Sequence, residues 1–575
     1  MYCRVLACDF DGTTAINGRL APEVAATLRA ARAHGVITLL VTGRVLADLH
    51  AADVDWAAFD AVVAENGALV WLPAADRTIH LGTPPPEHFL GELRARGVPF
   101  HAGAVVVGTW DRHAGELLDV VRRLGVDGQL VFNREALMLL PSGVNKAAGV
   151  RRAIEEFARS EHNLVAFGDA ENDLPLLTMA ELGVAARGAV PAVAAAADER
   201  LSHPGGAGVA HYVDALLAAG AAAPTPPRRR IVLGQDDGGP VTLPGSGTNV
   251  MISGDPRSGK SWLAGLVAEQ LIDEGYRLCV LDPEGDHLCL GRRPRVLVLG
   301  HDLPLPAPPA VPHLLAEKRL SVVLSLAALP QRDKLAYACD VLDAIGPAQT
   351  ATGVPHWTMV DEAHYFFHEA ASSCRHAAGR AGSLLLVTYR PSLVAAEVYA
   401  SVQAHLITRT AIDEERYFVT ALLRSRHPTG LVDGDALRGI GGTRVGLLRS
   451  GDTAPCWTIF TPGVRSTAQA HHGRKYADLP VAENKAFRFL HADGTGPTLA
   501  RSVAEFHAAV RAVPLASLRH HLIAGDFSRW AADVLRDEPL ARGLRKLEET
   551  ARTGGVAHRE EILAHLADRY FLPVT

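Results

Sequence analysis

Cysteine is scarce and scattered. Cys3, Cys8, Cys279, Cys289, Cys339, Cys374 and Cys456 form no C-x-x-C pair, so neither a disulfide framework nor a zinc site is indicated and a reducing cytoplasm fits. A large charge of one sign is also missing. A net charge of −6 over 575 residues gives no global basic field, so nucleic acid could be held only through local patches. No apolar run reaches the roughly 18–20 residues of a membrane span, because charges, Gly and Pro interrupt each one. Met1-Tyr2-Cys3-Arg4-Val5 runs straight into a strand, so no signal peptide is expected. What remains is 48% apolar and 21% charged, the composition of a globular protein. The length calls for several domains.

The first domain begins with the apolar strand Arg4-Val5-Leu6-Ala7-Cys8, which leads into Asp9-Phe10-Asp11-Gly12-Thr13. Open α/β sheets place their chemistry at such C-terminal strand ends. Two carboxylates at this spacing, Asp9 and Asp11, can hold Mg²⁺ while one attacks phosphorus and the other shuttles a proton. Taken alone, the stretch could also be a strand followed by a polar turn. Further along, Thr38-Leu39-Leu40-Val41 ends in Thr42-Gly43-Arg44. Lys146 opens a helical run, and Leu164-Val165-Ala166-Phe167 ends in Gly168-Asp169-Ala170-Glu171-Asn172-Asp173. Two carboxylate clusters, a hydroxyl and a lysine suit phosphoryl transfer through a carboxylate nucleophile.

In this order the DFDGT, VTGR, lysine and GDAEND stretches resemble the haloacid dehalogenase-like phosphatases of the Cof-type, C2-capped branch. The resemblance implies Asp9 as nucleophile and Asp11 as general acid/base. It also implies that Thr42 and Lys146 hold the phosphoryl group, and that Asp169 and Asp173 complete a Mg²⁺ shell with Asp9. Asn172 matches a position near the phosphate. Ala64-Glu65-Asn66-Gly67-Ala68 resembles the stretch that precedes the cap in this branch, which puts a short cap at about 83–140. A short cap suggests a small lid and a compact substrate.

A second site is written at Gly254-Asp255-Pro256-Arg257-Ser258-Gly259-Lys260-Ser261, between the apolar Val250-Met251-Ile252 and an amphipathic run from Trp262. This is the spacing of a phosphate-binding loop. Its backbone N–H groups would face phosphate oxygens, Lys260 would reach the β/γ-phosphates of ATP, and Ser261 would hold Mg²⁺. Later strands end in Asp282-Pro283-Glu284-Gly285-Asp286, Asp361-Glu362-Ala363-His364 and Thr388-Tyr389-Arg390-Pro391-Ser392. By role, Asp361 would bind Mg²⁺ through water, Glu362 would polarise the attacking water, and Thr388 would sense the γ-phosphate. The set resembles the HerA/FtsK-like P-loop ATPases. That resemblance implies a homo-hexamer hydrolysing ATP at subunit interfaces, often with DNA as its track, and a trans-acting arginine for which Arg409, Arg424 and Arg390 are candidates. The β-barrel that often precedes this core is absent, and no long helical insertion or dense Lys/Arg stripe is evident.

The expected architecture is α/β. A Rossmann-like phosphatase domain with a small α+β cap spans 1–217, a linker 218–230, a RecA-like P-loop NTPase domain 231–467, and a small helical domain 468–575. Arg228-Arg229-Arg230 reads as a solvated basic linker, and His471-His472 as a polar linker without metal companions. Val503, Phe506, Val510, Leu515, Leu518, Leu522, Trp530, Leu540 and Leu544 recur at helical spacing, with Asp526 a candidate N-cap. Three functions fit. One is a bifunctional Mg²⁺-dependent phosphomonoesterase and ATPase. The second is a DNA motor or assembly platform with the phosphatase as effector. The third is a polynucleotide kinase–phosphatase, against which the Asp361-Glu362 pair argues because it favours an activated water. Expected partners are ATP, a phosphorylated small molecule or nucleic-acid end, and DNA, with no membrane.

Overall fold

The computed structural model describes residues 2–575 except Asn17, Asp53, Ala221, Arg257, 369–382, 427–436, 438–439, 442, 450–455, 468–480, 482, 491–495, 536, 555–558 and 571–575. The chain divides into two compact units, one of residues 1–281, 305–322 and 329–464, the other of 282–304, 323–328 and 465–575.

The N-terminal sheet of the first unit runs Glu199–Arg200, Leu182–Ala185, Leu164–Gly168, Val5–Asp9, Ile37–Val41, Ala61–Ala64, Leu69–Leu72, Arg77–His80. The first six strands pair in parallel and the last two pairings are antiparallel. Side chains alternate between two cores: Leu6, Cys8 and Leu40 enter one, Val5, Ala7 and Leu39 the other. Both faces are therefore covered, which explains the unbroken apolar strands. Between Arg77–His80 and the helix Lys146–Glu156 lies the cap, at the place the sequence suggests. It is a four-stranded antiparallel sheet, Gln129–Asn133, Ala136–Leu140, Val107–Trp110, His101–Ala102, with the helices Glu87–Ala95 and Ala114–Leu124.

The next sheet opens with the expected hairpin, Arg230–Asp236 against Gly239–Pro244. Its parallel centre runs Ala404–Ile407, Val250–Ser253, Ser383–Thr388, Trp357–Val360, Leu278–Asp282. A helix of 22 residues, Gln331–Thr352, connects Ser321–Ser325 to Trp357–Val360. Cys3, Cys8, Cys279 and Cys289 are free and buried, whereas Cys339 is disulfide-bonded, a pairing the scattered spacing did not suggest.

The basic linker, although Arg228 is exposed, is not free in solvent but bonded to the first sheet's loops. The Arg228 guanidinium donates to the carbonyls of Leu177, Thr178, Ala180 and Glu181 and to Asp198, and that of Arg229 to Thr178, Met179 and Ala180. These carbonyls lie at the C-terminal end of Leu174–Met179, where a helix presents unsatisfied acceptors and partial negative charge. Beside them the two sheets are joined through a buried network. The Tyr276 hydroxyl donates to Glu181 at 2.8 Å, the Ser246 hydroxyl to the same oxygen at 3.1 Å, and His162 Nδ1 lies 2.8 Å from its other oxygen. The His162 and Tyr276 rings stack at 3.9 Å. Every one of these residues precedes a parallel strand: His162 and Glu181 in the first sheet, Ser246 and Tyr276 in the second. The sheets thus touch near the N-terminal ends of these strands.

The C-terminal part of the second unit holds the helices Val503–Ala512, Leu515–Ala524, Asp526–Asp533, Glu538–Arg552 and Arg559–Tyr570, plus an unforeseen hairpin of Phe487–Phe489 and Thr498–Ala500. Phe487, Phe506, Phe527 and Trp530 share its core, while Leu515 is exposed. Asp526 is the first helical residue rather than the cap, which is Gly525 at φ 71°; its carboxylate instead meets His521 Nδ1 at 2.7 Å. His471-His472 lies outside the described residues. Among the described residues no helix is long and apolar enough to cross a membrane.

Burial would push the Glu181 carboxyl up, but His162, Tyr276 and Arg229 hold it below the usual range. A carboxylate with a depressed folded pKa stabilises the fold above its unfolded value and loses that contribution as pH falls through the folded one. Tyr276→Phe should therefore cost about 1.5–3 kcal/mol at pH 7, and Glu181→Gln should flatten the loss of stability below the carboxylate range. Urea unfolding from pH 7 down to pH 3 measures both. A Tyr276→Phe curve superimposed on the wild type would remove the network as a source of stability.

Candidate active site

Asp9 ends its strand in register with Val41, the residue before Thr42, and Asp169 follows the neighbouring strand Leu164–Gly168. The carboxylates of Asp9, Asp169 and Asp173 each offer an oxygen within 4.8 Å of the others. Lys146, first residue of its helix, inserts a buried ammonium among them, donating to Asp9 Oδ1 at 2.6 Å and Asp173 Oδ1 at 2.5 Å. The second Asp173 oxygen accepts the N–H groups of Asp169 and Ala170, each at 3.0 Å.

Burial and the Asp173 charge push the Asp9 carboxyl well above its ordinary range, with Lys146 opposing. Burial would lower the Lys146 ammonium, but Asp173 and Asp9 hold it above its usual value. Lys146 answers Asp9 and Asp173, and Arg134 meets one oxygen of Asp169, but Asp169 Oδ1 is buried with no hydrogen-bond partner. The donor set, all hard oxygens, fits a divalent cation of the Mg²⁺ kind. Gly12, at φ 85°, leaves room for this cluster, since a Cβ there would lie 2.4 Å from Asp169 Oδ2.

A cavity of about 410 Å³ is lined by Asp9, Asp11, Thr42, Lys146, Asp169 and Asn172, with Arg44, Arg134 and Met138. The residues marked in the sequence are therefore together, with Asp173 buried behind them. Asp11 is expected as a metal ligand as well as an acid/base group, but it is outside the carboxylate trio. The Arg44 guanidinium forks its carboxylate at 2.7 and 2.6 Å. Asn172 donates to Asn66 Oδ1 at 3.0 Å.

Sequence reasoning gave no role to Arg44, Arg134 or Glu65. Arg134, in the turn between two cap strands, pairs with Asp169. Glu65 is buried at φ 52°, and its carboxylate accepts the N–H groups of Ala104, Val105 and Val106 at 2.8, 2.8 and 3.1 Å, fastening the cap to the core. The positive φ required of Glu65 and Asn66 is the physical reason for the Glu-Asn-Gly turn. Its one legible signal was that turn.

After Val250–Ser253, Gly254 and Gly259 take φ of 150° and 95°, and the helix Lys260–Asp273 starts after them. Lys260 Nζ donates to the carbonyl of Asp255 at 2.7 Å, within its own loop. The Asp255 carboxylate accepts the Ala411 N–H at 2.7 Å, and the Ser258 hydroxyl meets that of Thr408 at 2.5 Å. Pro256 is exposed, Ser261 is half-buried on the first turn of the helix, and Arg257 lies outside the described residues. Asp361 is buried at the end of Trp357–Val360, and its Oδ1 accepts the Glu362 N–H at 2.9 Å. Glu362 is left-handed at φ 47° and ψ 48°, a strained geometry that concentrates at functional sites. His364 Nδ1 lies 3.0 Å from the Thr388 hydroxyl, and burial with the charge of Arg390 pushes its pKa down to about 4. Asp282 caps its own turn, accepting the N–H groups of Gly285, Asp286 and His287. Arg409 lies 3.8 Å from Asp255 and Arg390 3.8 Å from Glu414, while Arg424 is exposed on Asp413–Arg426.

Comparison with known proteins places residues 130–213 in a family described as haloacid dehalogenase-like hydrolase. A phosphoglycolate phosphatase of Methanothermobacter thermautotrophicus is 31% identical over 217 residues, 36% of this chain and 97% of that protein. Phosphoglycolate phosphatase 2 of Saccharolobus solfataricus is 34% identical over 103 residues, 18% of this chain and 44% of that protein. A solved haloacid dehalogenase-like hydrolase from Bacteroides thetaiotaomicron is 17% identical, with a TM-score of 0.32 over 37% of this chain and 99% of that one.

Replacing Glu65 by Gln removes the charge from three hydrogen bonds, each worth about 1.5–3 kcal/mol when charge-assisted. Amide hydrogen exchange at Ala104, Val105 and Val106 should accelerate in Glu65→Gln while amides of Val5–Asp9 keep their protection. Unchanged exchange at those three amides would remove the clamp from the account.

Proposed function

From the premise that the chain belongs, through its N-terminal domain, to the haloacid dehalogenase-like hydrolases, we propose that this domain is a phosphomonoesterase working through an aspartyl-phosphate. The observation that carries the reading is Asp9 at the cavity floor, tied to Lys146 beside Asp169 and Asp173. The Asp9 carboxylate attacks phosphorus as the bond to the leaving oxygen breaks. Asp11, held in place by Arg44, gives its proton to that oxygen. It then takes a proton from the water that attacks the aspartyl-phosphate and releases phosphate, which restores both carboxyl groups. The Lys146 ammonium and the Thr42 hydroxyl bind the phosphoryl oxygens. Mg²⁺ held by Asp9, Asp169 and Asp173 would supply further offset of phosphoryl charge. The two named relatives act, by name, on phosphoglycolate, which makes a small phosphorylated acid the first substrate to test.

A second reading covers the central domain. The glycine turn before Lys260, the buried Asp361 and the strained Glu362 support ATP binding and hydrolysis of the HerA/FtsK-like kind, with Mg²⁺ held by Ser261 and Asp361. Glu362 would polarise the water, and Thr388 would sense the γ-phosphate. A hexameric ring, a trans-acting arginine and DNA as track belong to the same proposal. The polynucleotide kinase–phosphatase reading is disfavoured, because the Asp361-Glu362 pair suits an activated water rather than an acceptor hydroxyl.

Asp9→Asn should lower phosphate release from p-nitrophenyl phosphate by on the order of 10⁴-fold or more without affecting ATP hydrolysis. Lys260→Ala should abolish ATP hydrolysis and leave the ester reaction unchanged. Malachite-green assays with Mg²⁺, with and without DNA, measure both. Retained ester hydrolysis in Asp9→Asn would sink the first reading, and retained ATP hydrolysis in Lys260→Ala the second.

A further inference from the structure

The cap sheet has two faces of different character. Val107, Leu137 and Leu139 point beneath the cap helices into its core. By the two-residue period of a strand, Gly108, Trp110, Ala136 and Met138 lie on the other face. There Gly108 pairs with Met138 and Trp110 with Ala136. All four line a recess of about 380 Å³ that also touches Arg44 and Phe100. Gly43, Arg44, Ala136 and Met138 line both this recess and the cavity over Asp9, so the two are continuous.

Volume and lining decide what such a recess holds. Pockets of ~300–1,000 Å³ suit drug-sized ligands, whereas a two-carbon acid fills only a small part of one. Its walls include an indole, a phenyl ring and a thioether, surfaces against which a flat ring packs, with Arg44, Asp48 and His101 as polar partners. Trp110 is 47% exposed, with the Arg112 guanidinium 5.6 Å from the centre of its ring. Small residues keep the recess open: a Cβ at Gly108 would meet only the His101 carbonyl oxygen, at 3.9 Å, and the backbone there has no positive φ. We propose that the recess seats the leaving group of the phosphomonoester, and that this group is a planar ring system of nucleoside size rather than glycolate. The proposal rests on the phosphomonoesterase reading and extends it to substrate class.

The test compares adenosine 5′-monophosphate with 2-phosphoglycolate on the wild type, Gly108→Leu and Trp110→Ala. Gly108→Leu fills the recess without touching Asp9 or Asp11. Wild-type kcat/KM should favour the nucleotide by about tenfold or more, and both variants should lose that preference mainly through KM, by about tenfold, a methylene-scale steric effect. Hydrolysis of 2-phosphoglycolate should stay at its wild-type level, which a merely structural defect would not allow. Preference for 2-phosphoglycolate in the wild type, or equal losses on both esters, would overturn the proposal. If no ester is hydrolysed the phosphomonoesterase reading fails, and calorimetric binding of the nucleotide to Asp9→Asn protein, with and without Gly108→Leu, then decides the recess: plugged binding supports it, unchanged or absent binding overturns it.

Discussion

One ammonium group makes the N-terminal domain's chemistry compatible with its fold. Asp9 and Asp173 are buried within reach of each other, and two such charges cannot both persist in a low-dielectric interior unless something answers them. Lys146 answers both. It is placed by local structure: Asn145 Oδ1 caps its helix by accepting the Ala148 N–H at 2.9 Å. That helix start is pressed against the Glu65-Asn66-Gly67 turn so closely that a Cβ at Gly67 would lie 1.9 Å from the Asn145 carbonyl oxygen. The turn that fastens the cap and the helix that carries the lysine are therefore one packed joint. A change at Gly67 would reach lid and charge cluster together.

The balance is also deliberately incomplete. Asp173 spends its second oxygen on two backbone N–H groups, but Asp169 retains an oxygen without a partner. An unsatisfied buried acceptor costs about 1–3 kcal/mol, more when charged. Such a cost persists where a ligand removes it, and a hard divalent cation does so with the oxygen donors present. The site is stable enough to fold around its lysine and is finished by what binds there.

Much of this was legible in the sequence because it is local. Strand-end acids, the lysine opening a helix, the glycine loop before Lys260 and the hairpin at 230–244 each occupy a few consecutive residues, and period and spacing carry them. The misses are long-range. Glu65 is an unremarkable acid until the fold brings the amides of 104–106 to it, and Arg44 pairs with Asp11 across 33 positions. The arginines at 228–229 look solvated in one dimension, since nothing in their neighbourhood shows that carbonyls of residues 177–181 wait for them. The helix Gln331–Thr352 was hidden by Gly346 and Pro347, residues that ordinarily interrupt helices and here are accommodated within one.

The joint between the two sheets constrains how two sites can serve one chain. The sheets meet near the N-terminal ends of their parallel strands, whereas Asp9 and Lys260 lie at or just beyond strand C-terminal ends, so communication between them would run along the strands. The joint offers a short route for it: Glu181 and His162 precede the strands Leu182–Ala185 and Leu164–Gly168, and the second of these ends at Asp169. On the other side, Tyr276 connects the end of Lys260–Asp273 to the strand Leu278–Asp282. A helix that begins at the glycine loop and a strand that ends at the carboxylate cluster thus meet, through one phenol and one carboxylate, in a network buried from water. Rigid secondary elements joined by such a network transmit a displacement only if the network has two arrangements. The arrangement of Glu181, with both oxygens bonded, favours a fixed joint between the two sheets.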